Sequence, residues 1–381
     1  MGRRHDCLAA TLRREINRTI LERIQGKMMN HAIDQQEEEE KPDLPYEVEE
    51  SLNNPYMNRQ EVALAMDIFK PKTEKGRELP VIVVIHGGGL VMGDRKISRR
   101  FSRILAGHGY LVFSVEYRLA PRANCAEQLD DVCAGMDIIG RELVNYDVDF
   151  SRIFLIAESA GAYLATYVTA MRGSEKLQQA IGYEPSKMVF KAVGLVSGMF
   201  YTGKRDLIGL LLSEQFYGDK RNNKTFLKYM DPENPEILDH LPPAFLVTSR
   251  GDFLNNYTLL FHDALKKEKK RTHLLYYRDK DLLHAFVMSQ PTHEKSQEAI
   301  HKMLAWFEAE ADYARKKAEE KNREIKAAAN KNKTVSAAEI SENNPAPKRT
   351  RTASKTTTKT GRGRKKESGR KENQIENQKE S

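Results

Sequence analysis

Long apolar runs are missing from this chain. Stretches such as residues 81–85 fall far short of the ~20 residues a membrane-crossing helix needs, so a soluble protein with no membrane span is expected. A signal-peptide core is missing too: the start Met1-Gly2-Arg3-Arg4 is basic, but Leu12, Ile16, Ile20 and Ile24 are interspersed with Arg13, Arg14, Glu15 and Arg18 in amphipathic fashion. Asp6 stands where myristoylation of Gly2 would need Ser or Thr. Cysteine is scarce. Cys7, Cys125 and Cys133 form an odd set that cannot all pair, and no Cys-x-x-Cys spacing or neighbouring histidine cluster supplies a metal site. A reducing, cytoplasmic setting and no metal are therefore expected.

Excess charge is missing from most of the chain as well. Residues 331–381 hold 14 Lys+Arg against 6 Asp+Glu, so the tail carries the whole net charge of +8 and the rest is neutral. The clusters Lys348-Arg349-Thr350-Arg351 and Arg362-Gly363-Arg364-Lys365-Lys366 suit contact with nucleic acid or another polyanion through counterion release. No aromatic platform is interleaved with them, and a solvated, solubilising tail is the favoured expectation.

What is present has the rhythm of an α/β protein. Residues 1–60 read as one or two amphipathic helices, then an acidic, Pro-bearing linker (Glu37-Glu38-Glu39-Glu40, Pro42, Pro45), together an appendage to the main domain. Near Glu61 the pattern turns β-like, with Val62, Leu64, Met66 and Ile68 alternating. Strands are then expected at 80–85, 109–115, 151–156, 190–196, 244–248 and 273–277, with helices at 128–143 and 160–171 between them. This alternation predicts a mostly parallel sheet with helices on both faces, in a domain covering residues 61–312. The segment 201–241 is too long for a plain crossover and carries an apolar helix at 207–212, which suits a cap or lid. A last helix through Ile300, Met303, Leu304, Trp306 and Phe307 continues as a charged extension from about 313. Beyond Asn330 the composition predicts a disordered basic tail.

One junction carries chemistry. Phe154-Leu155-Ile156-Ala157-Glu158-Ser159-Ala160-Gly161-Ala162 runs from a strand into a helix with a serine at the turn and small residues around it, the setting of a nucleophile elbow. Alone, such a junction also fits an ordinary helix N-cap. About seventy residues earlier, directly after a buried strand, stands His86-Gly87-Gly88-Gly89, whose backbone N–H groups are free to turn inward and cradle an oxyanion. No Gly-Lys-Ser/Thr comes after it to make it a phosphate loop. The N–H of Ala160, at the helix start, is a second source of such a donor.

A serine hydroxyl needs a histidine to take its proton and a carboxylate to hold the imidazole tautomer. Asp252 follows the strand at 244–248 and His284 follows the strand at 273–277, each on a strand-end loop and in the required chain order. Asp263, in a helix-like setting, and His293, among Glu and Lys neighbours, compete with them.

Taken together these blocks resemble the hormone-sensitive-lipase-like family of α/β-hydrolase esterases. The resemblance spans about residues 60–310. It rests on His86-Gly87-Gly88-Gly89 with Gly93, Val115-Glu116-Tyr117-Arg118-Leu119-Ala120-Pro121, Glu158-Ser159-Ala160-Gly161, Gly251-Asp252-Phe253-Leu254 and His284-Ala285-Phe286. It implies an α/β-hydrolase fold with a helical cap built from the N-terminal helices and 201–241, oxyanion donors at Gly88, Gly89 and Ala160, and no cofactor. Departures are Ala157 and Ala162 where the family has glycine, each adding a methyl at a tight site, and Asn255 or Asn256 where it usually has a second acid.

The expected activity is hydrolysis of a small-molecule carboxylic ester with a short, acetyl-like acyl group, through an acyl-enzyme on Ser159 with Asp252 and His284. The same machinery does not encode the leaving group, so an amidase, aryl formamidase or small peptidase is the alternative. A non-catalytic ligand-binding homologue would usually lack a triad residue, and none is lacking here. The sequence leaves the oligomeric state open.

Overall fold

The short apolar runs become strands because both of their faces are covered. In the computed structural model, which describes residues 43–204, 206 and 216–342, the strands are β1 (Val48–Arg59), β2 (Val62–Pro71), β3 (Leu79–Ile85), β4 (Leu111–Val115), β5 (Val148–Glu158), β6 (Ala192–Val196), β7 (Ala244–Ser249) and β8 (Thr272–Tyr277). They form one sheet in the order β1-β2-β4-β3-β5-β6-β7-β8. β1 pairs with β2 and β2 with β4 antiparallel, and the remaining pairings, from β4·β3 to β7·β8, are parallel.

The helices are α1 (Arg99–Gly107), α2 (Cys125–Glu142), α3 (Ser159–Met171), α4 (Glu175–Ile181), α5 (Lys224–Tyr229), α6 (Pro235–Leu238), α7 (Asn255–Lys267), α8 (Phe286–Ser289) and α9 (Glu294–Glu342). Successive residues of β3 point to opposite faces, and the fully buried strand divides its side chains between two cores. Val81, Val83 and Ile85 pack with Leu129, Val132 and Met136 of α2 and Tyr163 and Tyr167 of α3. Ile82 and Val84 pack with Phe101 and Ile104 of α1 and Ile300, Met303 and Phe307 of α9. Each such side chain contributes roughly 1.5–3 kcal/mol by burial, which is why a five- to seven-residue run suffices to hold a central strand in place.

The expected α/β-hydrolase architecture is thus present, with helices on both faces of a mostly parallel sheet. Its start is a correction. Residues 48–59, assigned from sequence to a linker, form the edge strand β1, and the expected domain boundary near residue 60 falls in the turn before β2. β1 is largely exposed, so it carries no apolar alternation, and its pairing breaks register between Ser51 and Asn54 and again between Pro55 and Met57. It is held instead by polar contacts, among them the Asn53 N–H donating to the buried Asp67 carboxylate at 2.6 Å.

The described residues divide into two units between Lys321 and Asn322. The described part of the second is helical from 322 to 342, past Asn330 where the sequence reading ends the helix. The Ala- and Lys-rich stretch there is made of good helix formers, which favour helix even where few apolar residues are present. The expected N-terminal helices, the apolar helix at 207–212 and the basic clusters past 342 lie outside the described residues. No described helix is long and apolar enough to cross a membrane.

Candidate active site

The loops that leave the carboxyl ends of β3, β5, β7 and β8 carry the residues singled out in the sequence, where ligands bind in open α/β sheets. β5 ends at Glu158 and α3 begins at the next residue, Ser159, whose φ of 50° lies in the left-handed region. A residue with a Cβ is strained there, and such strain persists only where the surroundings enforce it. The enforcement comes from close packing: a Cβ on Gly161 would fall 2.4 Å from the Ile85 carbonyl oxygen and 2.5 Å from that of His86. Ala157 and Ala162 fit without exposure, so the two added methyls are accommodated.

His284 Nε2 stands 2.9 Å from Ser159 Oγ, and His284 Nδ1 stands 2.7 Å from Asp252 Oδ1. A carboxylate only accepts hydrogen bonds, so Nδ1 carries the proton and Nε2 is left to accept from the serine. The two competitors lie elsewhere: Asp263 is exposed beside His262, and His293 accepts from the Lys295 N–H.

Asp252 is buried and well supplied with donors. Oδ2 accepts from Thr248 Oγ1 at 2.8 Å and Oδ1 from the Leu254 N–H at 2.8 Å. Burial alone would raise its pKa, but the hydrogen bond and charge of His284, with the Leu254 N–H and Ser197 hydroxyl, together hold it below the usual carboxylate value. Ser197 also accepts from the Ala285 N–H at 3.1 Å, which anchors the loop just after His284. Thr248 and Ser197 were missed in the sequence, since each is one of many hydroxyls near a strand end.

The glycine loop after β3 is shaped for donors. Gly88 (φ 106°) and Gly89 (φ 62°) have positive φ, and a Cβ on Gly88 would lie 2.0 Å from the Met92 carbonyl oxygen. The Gly88 carbonyl is turned away into a tight turn, accepting from Val91 N at 3.2 Å and Met92 N at 2.9 Å. Ala160 lies in the first turn of α3, where an N–H has no intrahelical acceptor.

The Tyr-Arg-Leu-Ala-Pro segment, a polar turn by composition, supports this loop from behind. The Tyr117 hydroxyl donates to the His86 carbonyl at 3.0 Å, and the Ala120 N–H donates to the Leu90 carbonyl at 2.9 Å. Arg118 forms a two-pronged ion pair with Asp131 at 2.7 and 2.9 Å, both side chains buried. Gln128 of α2 adds a donor to the same Leu90 carbonyl at 2.8 Å. Among the described residues no group of three or more His, Cys, Asp or Glu is arranged to hold a metal ion. Cys125 and Cys133 are free, buried thiols, each pushed up to about 12 by that burial.

The model of the α/β-hydrolase fold family matches residues 82–288, which take in the glycine loop, the elbow, Asp252 and His284. The chain belongs to the α/β-hydrolase fold family.

Within that family, the resemblance to hormone-sensitive-lipase-like esterases read from the motifs agrees with the relatives found. A probable isoprenylcysteine α-carbonyl methylesterase of Oryza sativa subsp. japonica is 24% identical over 226 residues, covering 56% of this chain and 53% of that protein. The 3-O-acetylpapaveroxine carboxylesterase of Papaver somniferum is 32% identical over 142 residues, covering 31% of this chain and 45% of that one. This chain therefore spans about half the length of such curated relatives. Among solved structures, a phosphonate-inhibited esterase B from Lactobacillus rhamnosis superposes with a TM-score of 0.69 at 20% identity, covering 78% of this chain and 96% of that one. Brefeldin A esterase, a bacterial homologue of human hormone-sensitive lipase, superposes at 0.55 with 19% identity, covering 78% and 85%. At these identities the structural likeness speaks to the fold.

Proposed function

We propose that the chain is a serine carboxylesterase acting on small-molecule esters with short, acetyl-like acyl groups, without a cofactor. The reading rests on one observation above all: a single line of hydrogen bonds from Asp252 through His284 to a Ser159 held at positive φ. In this reaction Ser159 Oγ attacks the ester carbonyl carbon as His284 Nε2 takes the hydroxyl proton. The carbonyl π electrons move onto oxygen, which the N–H groups of Gly88, Gly89 and Ala160 stabilise. Collapse breaks the bond to the alcohol oxygen, His284 returns the proton to it, and the alcohol departs. Water, deprotonated by the same imidazole, then releases the acid and restores Ser159. Asp252 keeps Nδ1 protonated and stabilises the imidazolium without itself taking the proton.

Esterase names among the relatives support the ester over the amide. Buried free thiols support a reducing, cytoplasmic setting. Ser159→Ala should lower turnover of p-nitrophenyl acetate by ~10³ or more, because the triad members act as a unit. A fluorophosphonate should label the wild type and not the variant. Equal turnover by the two proteins would remove Ser159 from the chemistry, and an amide analogue of the same acyl group hydrolysed as fast as the ester would redirect the reading to amides.

A further inference from the structure

Scattered exposed apolar side chains need no explanation, but two here directly adjoin proposed triad residues in the chain. Phe253 directly follows Asp252 and is 71% exposed, and Leu283 directly precedes His284 and is 62% exposed. Phe253 is the most exposed aromatic among the described residues, yet its ring lies 4.4 Å from the His284 imidazole at a tilt of 41°.

Neither side chain is left outside by a loose loop. The next residue after Phe253, Leu254, is buried, as is the residue before Leu283, Leu282. These inward anchors turn their neighbours outward. The loops after β7 and β8 are also tied together: Arg250 N–H donates to the Tyr277 carbonyl at 2.8 Å and Gly251 N–H to the Asp279 carbonyl at 3.2 Å. At Gly251 the fit is so close that a Cβ would stand 2.1 Å from the Lys280 carbonyl oxygen. Two large apolar groups are thus held in water on a fixed frame, Phe253 against the imidazole and Leu283 next to His284 in the chain, an arrangement that disfavours the free protein unless something apolar covers them.

The chemistry identifies what lies there. His284 Nε2 must hand its proton to the leaving oxygen, which requires an approach to hydrogen-bond distance, ~3 Å. The alcohol half of an ester, rather than its acyl half, therefore passes beside the imidazole and its apolar neighbours. We propose that Phe253 and Leu283 form the wall against which the substrate's alcohol moiety packs, so that the chain selects esters of apolar alkyl or aryl-bearing alcohols over methyl esters. This rests on the esterase reading and adds the alcohol side, which that reading leaves open.

Methyl, butyl and benzyl acetate test it, because they share one acyl group and give one acetyl-enzyme. Deacylation is then common to all three, while kcat/KM reports the steps through alcohol release. Wild type should favour benzyl over methyl acetate. Phe253→Ala and Leu283→Ala should each lower that benzyl-to-methyl ratio by about three- to tenfold, the effect of a few methylenes of contact, and Phe253→Leu should restore part of it. A general weakening of the fold would slow all three esters together and leave the ratio alone. A ratio unchanged in both alanine variants, with wild type active, overturns the wall and leaves the esterase reading standing. No Ser159-dependent hydrolysis of any acetate overturns the esterase reading and the wall with it.

Discussion

His86 lies nearly parallel to Tyr117, with ring planes 8° apart and centroids 4.3 Å apart, and the Tyr117 hydroxyl reaches back to the His86 carbonyl. The imidazole is wholly buried. Its Nδ1–H donates to the Gly87 carbonyl at 2.8 Å, so the ring that heads the glycine loop is stacked and hydrogen-bonded in its neutral form. Burial pushes its pKa down to about 4, with the Gly87 hydrogen bond and Asp94 opposing only in part.

Acid should therefore cost the folded protein stability through His86. Between the ordinary histidine value near 6.5 and about 4, the unfolded chain binds a proton at His86 and the folded chain does not. Stability falls as pH drops through that window, by about 3 kcal/mol in all, and the loss is complete below it. His86→Phe keeps a flat ring for Tyr117 and cannot titrate. The urea unfolding free energy of wild type minus that of the variant should shrink from about pH 7 to about pH 4. Parallel pH curves for the two proteins would show that His86 does not titrate on unfolding.

A second buried group faces the same loop from the nucleophile side. Glu158 is 8% exposed, and its Oε1 accepts from the Gly87 N–H at 3.3 Å. Burial raises its pKa, while the nearby His284 charge and the Gly87 bond lower it by less. The folded protein thus holds this proton above the ordinary carboxylate range, and stability declines as pH rises from that range through the folded value. Glu158→Gln keeps an acceptor for Gly87 and removes the titration, so it should gain on wild type at neutral pH and lose that gain in acid. Glu158→Ala removes the acceptor, and its ester turnover should fall below that of Glu158→Gln by ~10-fold as the donor loop shifts. Equal turnover in the two variants would mean that Glu158 does not position Gly87.

The core of this fold was legible because its strands are buried on both sides. Continuous runs such as 81–85 and 244–248 and the two strand-end glycine and serine turns leave few alternatives, and Ser159, Asp252 and His284 all follow the carboxyl ends of their strands. The edge strand β1 was not legible. A strand with water on most of its surface has no reason to alternate, and its partner contacts are hydrogen bonds from residues such as Asn53 and Asn54 that composition assigns to loops. The supports of the site were hidden for a related reason. Thr248, Ser197 and Asp131 become informative only once the fold brings them to Asp252, Ala285 and Arg118 across gaps in sequence.

Arg118 and Asp131 give the sharpest test of that hidden support. They are 4% and 0% exposed, joined by two side-chain hydrogen bonds and a third from the Arg118 N–H at 3.0 Å, and Arg59 approaches the same carboxylate at 3.1 Å. Arg118→Met should cost ~3–5 kcal/mol, because it leaves a buried carboxylate short of its main partner. Asp131→Leu alone should cost a similar amount by stranding the guanidinium. The double variant removes both charges and should cost far less than the two losses added, since breaking a buried pair is worse than replacing it. Urea unfolding of the four proteins measures the coupling. Additive losses would mean that each side chain stabilises the fold through separate neighbours, and that the segment behind the glycine loop is held by Tyr117 and the Ala120 N–H rather than by this pair.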